Sequence, residues 1–155
     1  MTRIYLETHI TAAIESVFDL SRNIDFHIQS ASQTNEKAIA GCTSGLINLG
    51  ETVTWKGQHF GMYLTHQSKI TELEFPSKFT DEMLKGHFKS FKHQHLFYKT
   101  PSGTRMIDIL DYEVPYGIWG KLFDRMLLKK HLTKFLMQRN LALQTVLEQN
   151  FEGQK

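Results

Sequence analysis

The sequence predicts an α+β domain in which a long C-terminal helix packs across a curved, seven-stranded antiparallel sheet. Three observations predict it: strand-like alternation at the N-terminus, β patterning from Glu36 to Pro115, and a helical period from there nearly to the end. No Pro/Gly/Ser-rich stretch divides the 155 residues, so residues 1–155 read as a single domain.

Ile4, Leu6 and Ile10 alternate with Tyr5, Glu7 and His9 over residues 3–11, the period of a half-buried strand. Thr11 then offers a cap for a helix in which Ile14, Val17, Phe18 and Ser21 recur at three- and four-residue spacing, up to about Asn23. A second short helix follows over 25–30, so two short helices separate strands one and two. Six strand-like runs come next, at 36–40, 51–60, 63–75, 78–85, 88–98 and 104–114. No helical pattern interrupts them, which makes the sheet antiparallel. Lys-Thr-Pro-Ser-Gly at 99–103 joins the last two as a hairpin loop. Gly41, Gly45 and Gly50 read as turns and bulges at positive φ, because no Lys-Ser/Thr follows to make a phosphate loop.

Pro115 ends the sheet, and the helical period then runs to about Gln149, roughly 50 Å at about 1.5 Å per residue. Leu128, Leu132, Phe135, Leu136, Leu143, Val146 and Leu147 fall on one stripe, while Trp119, Leu122, Phe123 and Met126 cluster nearly opposite. One straight helix cannot bury both against one sheet. A break or bend is therefore expected at 127–130, with the front piece acting as a separate flap. A curved sheet gripped by one helix leaves a middle that side chains do not fill, which predicts a cavity.

Hydrophobic residues make up 41% and aromatic residues 12%, which excludes disorder. A formal charge of +2 is too small to support nucleic-acid binding. The alternating first residues lead us to expect no signal peptide, no span-length apolar run occurs in these residues, and a lone Cys42 forms no internal disulfide. A soluble, cytoplasmic protein is expected, a monomer or weak homodimer.

Several segments carry a resemblance: Thr43-Ser44-Gly45-Leu46 through Gly50-Glu51-Thr52-Val53-Thr54-Trp55, Phe79-Thr80-Asp81-Glu82-Met83, Gly86-His87-Phe88 with His93-Gln94-His95-Leu96-Phe97, and Met106-Ile107-Asp108 with Tyr112 and Pro115-Tyr116-Gly117. In these the chain resembles the SRPBCC, or helix-grip, superfamily of START lipid-transfer domains, Bet v 1 allergens and polyketide cyclases, and most of all a bacterial cyclase/dehydrase-like branch. It departs from that branch at His87, where Pro is usual, and at Phe91, where Trp is common. The resemblance implies a helix-grip fold around a hydrophobic small-molecule cavity, with uses from lipid carriage to ring closure.

On the strand at 88–98, alternation puts Phe91, His93, His95 and Phe97 on one face, and on its partner Met106, Asp108, Leu110 and Tyr112 share one. An Asp beside His93 can fix its tautomer and raise its pKa, as acid–base work requires. His93 and Asp108 are therefore the catalytic candidates. His93-x-His95 also has metal-binding spacing, with Asp108 as a third ligand, but no further His or Cys is fixed nearby, so neither a metal nor another cofactor is expected. Arg139 interrupts the apolar stripe and should meet Asp108, Glu82 or the acidic group of a ligand.

The pocket is expected to draw on Trp55, His66, Met83, Phe91, His93, Asp108, Tyr112 and Arg139. Transport, sequestration or sensing of a small hydrophobic or amphipathic molecule, a lipid or fatty acid among them, is favoured. The rival is a cofactor-free cyclase, dehydratase or hydrolase. Residues 116–134 mix Trp119, Leu122, Phe123 and Met126 with Lys121, Arg125, Lys129, Lys130 and Lys134, the composition of a helix that touches anionic membrane transiently.

Overall fold

A computed structural model describes residues 1–152. The first strand, β1 (Thr2–Ile10), pairs along its whole length with the last, β7 (Gly103–Glu113), from Thr2↔Tyr112 to Ile10↔Thr104. Between them in sequence come α1 (Ile14–Ser21), α2 (Ile24–Ser30), a 3-10 turn at Ser32–Thr34, and the strands β2 (Lys37–Gly41), β3 (Thr52–His59), β4 (Met62–Glu74), β5 (Lys78–Lys85) and β6 (Ser90–Thr100). All seven strands form one antiparallel sheet in the order β1-β7-β6-β5-β4-β3-β2. Register shifts interrupt β2/β3 and β4/β5, and such bulges bend a sheet and let it curve.

Local chemistry departs from the sequence reading in three places. Thr11 does not cap α1: the cap position is Ala13, without a side-chain bond, and the Thr11 amide donates to Glu148 Oε1 at 3.0 Å. Asn23 caps α2 instead, accepting from the Phe26 amide at 2.9 Å. The loop between β6 and β7 is two residues long rather than five, because Thr100 pairs with Gly103 across Pro101-Ser102. Gly41, Gly45 and Gly50 all take positive φ, and Gly41 leaves no room for a Cβ, which would stand 2.1 Å from the Thr52 carbonyl oxygen.

The C-terminal chain does not break at 127–130. From α3 (Gly117–Phe123) it widens into a π-helical turn at Asp124–Leu128 and continues as α4 (Lys129–Glu152). A π-turn inserts one residue into the helical ladder and rotates everything after it, which shifts the phase between the two apolar stripes. Asp124 is buried at this turn, and its carboxylate accepts from the hydroxyls of Tyr112 and Thr2. The rear stripe is seated: Leu136 and Leu143 are buried, with Leu128, Leu132, Phe135, Val146 and Leu147 packed around the core. The front stripe is not covered, and Trp119 stays 76% exposed.

Two apolar clusters fill the interior. In the larger, Phe18 of α1 meets Phe75, Phe79 and Phe97 edge-on at 5.2–5.5 Å, and in the smaller, Ile4, Leu110, Tyr112 and Leu136 pack together. α4 is tied across the sheet by polar contacts: Asn140 Nδ2 reaches Thr8 Oγ1 at 3.3 Å and Gln144 Nε2 donates to the His9 carbonyl at 3.1 Å. Among the described residues no helix is long and apolar enough to cross a membrane.

Candidate functional site

Between the concave face of the sheet and α4 lies a cavity of about 210 Å³, walled by apolar groups from every strand but β1 and β2 and by α2 and α4. Ile47, Val53, Ile70, Phe79, Leu110 and Leu136 supply much of the wall. Seven of the eight histidines also line it, all but His9. Imidazoles are not usual wall material for an apolar pocket, and five of these, all but His66 and His87, are organised into two clusters.

The first cluster spans β5, β6 and β7. Asp81 pairs across strands with His93, and His95 with Asp108, so all four side chains share the concave face. His93 Nε2 is 3.1 Å and His95 Nδ1 2.8 Å from the same oxygen of Asp108, the latter off the line of a good hydrogen bond. On their other sides, His95 Nε2 is 3.3 Å and His93 Nδ1 3.9 Å from Asp81 Oδ1. Asn140 Nδ2 donates to the second oxygen of Asp108 at 2.7 Å. Asp108 has no solvent exposure, and burial pushes its carboxyl up; the two imidazoles set against it outweigh that and hold it well below the ordinary range. Asp108 does raise His93, as expected, but it does not decide the balance. Burial and the neighbouring His95 outweigh it and lower His93.

The second cluster joins α2, β3 and α4. His27 Nε2 donates to Glu36 Oε2 at 2.7 Å, His59 Nε2 lies 3.7 Å from Oε1, and His59 Nδ1 is 2.9 Å from His131 Nε2. An ionised carboxylate only accepts, so protons belong on His27 Nε2 and His59 Nε2, and His131 Nε2 then donates to His59 Nδ1. Burial alone would push Glu36 up, but its two histidines bring it down to about 2. Burial, with His59 and Lys134, lowers His131. His27 stacks on Trp55 with centroids 4.2 Å apart. A Cβ at Gly57 would stand 2.7 Å from Glu36 Cγ, so the glycine leaves the space this carboxylate uses.

Arg139 is 4% exposed and projects into the cavity wall from α4. Its Nη2 donates to the Ser21 carbonyl at 2.8 Å, while Nη1 sits 3.7 Å from Asp108 Oδ1 without a hydrogen bond. Glu82, the other carboxylate expected for it, pairs with Lys92 at 3.4 Å instead.

Of the residues expected in the pocket, Trp55, His66, Phe91, His93 and Arg139 line it; Met83, Asp108 and Tyr112 do not. Asp108 lies one layer behind the imidazoles, Tyr112 turns its hydroxyl to Asp124, and Met83 sits against Gly86. The residues missed are Asp81, His27, Glu36, His59 and His131. Alternation could have found two of them: Asp81 shares a face with Phe79, and His59 with Trp55.

No family model and no curated protein matches the chain. Solved structures do. The aromatase/cyclase Zhui from Streptomyces superposes with a TM-score of 0.76 at 10% identity, covering 97% of this chain and 95% of its own. A START superfamily protein from Mycobacterium smegmatis gives 0.71 at 15% identity, over 95% and 97% of the two chains. Ginseng major latex-like protein 151 gives 0.65 at 14%, over 94% and 97%. The fold is the helix-grip fold. The resemblance read from the sequence thus holds at the level of architecture, and the helix-grip cavity is where this chain has placed its histidines.

Proposed function

We propose that the chain works as one domain that binds a small apolar molecule with an acidic end, as a carrier, a sequestering protein or a sensor. Arg139 is the observation that carries this reading: a guanidinium with five donors, buried in an otherwise largely apolar wall, has one close acceptor in the protein. A carboxylate entering the cavity supplies the others. The volume of about 210 Å³ lies just under the range of about 300–1,000 Å³ typical for drug-sized ligands, so the occupant is a small acid or a short acyl chain rather than a whole phospholipid.

Decanoate and its methyl ester separate charge from shape. Arg139→Leu is expected to weaken decanoate binding by roughly 10-fold or more, the range of a hydrogen bond to a charged group, and to leave the ester unchanged. Equal decanoate affinity in both proteins would refute the anchor. Native mass spectrometry of purified protein identifies any molecule carried from the cell.

The rival reading gives His93 and Asp108 acid–base work in a cyclase, dehydratase or hydrolase. The contact of 3.1 Å between them supports it, with Asp108 orienting the ring from behind. Loss of turnover in His93→Ala with binding retained would favour it. A lone cysteine fits a cytoplasmic home, and nothing in a charge of +2 invites nucleic acid. The exposed front stripe beside Lys121, Arg125 and Lys129 supports transient contact with anionic membrane through 116–134, by a monomer or weak homodimer.

A further inference from the structure

Asp81, His93 and His95 each place one ligand-type atom within 4.8 Å of the others, on the wall of the cavity. Each imidazole stands between two carboxylates: Asp81 on the cavity side and Asp108 behind. A neutral imidazole has one proton and one lone pair. With the protons on His93 Nε2 and His95 Nδ1, facing Asp108, the two lone pairs and the Asp81 oxygen converge with no hydrogen among them. With the His95 proton turned to Asp81, bare Nδ1 faces Asp108 Oδ1 at 2.8 Å. Either tautomer leaves acceptor against acceptor, and a cation on the Asp81 side removes the conflict.

We propose that His93 Nδ1, His95 Nε2 and the Asp81 carboxylate form a binding site for a divalent transition-metal ion. Bonds of about 2.0–2.2 Å put neighbouring donors about 3.0–3.5 Å apart. The contact of 3.3 Å from Asp81 Oδ1 already fits, that of 3.9 Å needs a few tenths of an ångström of closure, and all three donors lie within 4.8 Å of one another. Two imidazoles and one carboxylate on a single side of the ion suit zinc, cobalt(II) or ferrous iron and leave positions open. Those positions face the cavity, where a small molecule with an oxygen or nitrogen donor can take them. Asp108 orients both rings from outside the coordination sphere and is itself held by Asn140. Asp108 is the third ligand that sequence spacing offers, yet the cross-strand register puts Asp81 in that place. The site stands independently of the acidic-ligand reading, since Arg139 takes no part in it.

Untagged protein stripped with a chelator is titrated with Co²⁺, read by its visible absorption, and then with Zn²⁺ in competition. The expected result is one saturable site per chain. Asp81→Asn, a change of one atom at a residue with partial exposure, and His95→Ala both abolish it. Asp108→Asn weakens it by about 10–100-fold, the usual effect of losing an outer partner, while His9→Ala, at the one histidine outside the cavity, leaves it unchanged. Circular dichroism confirms that each variant is folded. Absence of saturable binding of either ion overturns the proposal and leaves a proton as the cation between the carboxylates. Binding that survives in folded Asp81→Asn and His95→Ala overturns it as well, because the ion then sits elsewhere. Decanoate binding by Arg139→Leu reads the other proposal separately.

Discussion

Glu36 meets His27 at 2.7 Å and His59 at 3.7 Å, and this pairing sets an acid limit on the fold. Its carboxyl ordinarily titrates near 4.5 and in the folded chain near about 2. A depressed carboxylate stabilises above the unfolded value, and that stability is lost as pH falls from 4.5 toward 2. At about 1.4 kcal/mol per pH unit the contribution is at most roughly 3.5 kcal/mol. Glu36→Gln is therefore expected to melt lower than wild type at pH 7, with the gap closing between pH 4.5 and 2. A gap that does not change with pH would show that the carboxylate is not its source. Sequence patterning could not reach this cluster, because its members come from α2, the approach to β2, β3 and α4, and only the closed sheet brings them together. His93 and Asp108 were legible for the opposite reason: they sit on hairpin-paired strands whose period fixes a shared face.

At the scale of elements, period was the reliable guide and end chemistry was not. The β5 run at 78–85 appears in the structure with the same bounds, since alternation survives any context that buries one face. The α1 cap was misassigned because Thr11 is engaged by the far end of α4, a contact with no local signal. The phase conflict in the C-terminal helix was visible, but its resolution as a π-turn was not, since that turn depends on Asp124 being held by Tyr112 and Thr2. What seats α4 is its rear stripe. Leu143 is fully buried, and Leu143→Ala is expected to cost about 2–5 kcal/mol in urea unfolding. Met137→Ala, on the exposed side of the same helix, should change stability by less than about 0.5 kcal/mol. Similar losses from both would mean that α4 is not held by that stripe.

Across the whole molecule, charge is nearly balanced but apolar exposure is not. Tyr116, Ile118, Trp119 and Met126 stand out together around α3 and the π-turn, with Phe60 of the β3–β4 turn edge-on to Phe123 and His131 close by. Each Lys or Arg near a charged bilayer contributes about 1 kcal/mol, so Lys121, Arg125, Lys129 and Lys130 should direct this patch to anionic lipid. Co-sedimentation is expected with phosphatidylserine-containing vesicles, less with neutral ones, and less again for Trp119→Ala. Equal sedimentation on both vesicle types would remove membrane contact from the function.

The pairing of β1 with β7 has a consequence for how the chain is made. Strands β2 to β7 are each hydrogen-bonded to their neighbour in sequence and can zip hairpin by hairpin, whereas Thr2 waits for Tyr112. Contacts of such separation are slow to form, because the long loop must close before any bond rewards it. During synthesis the apolar side of β1, with Ile4 and Ile10, therefore remains without its sheet partner until residue 113 has left the ribosome. A nascent chain stalled before Gly103 carries an unpaired first strand, and that is the species on which a chaperone would act.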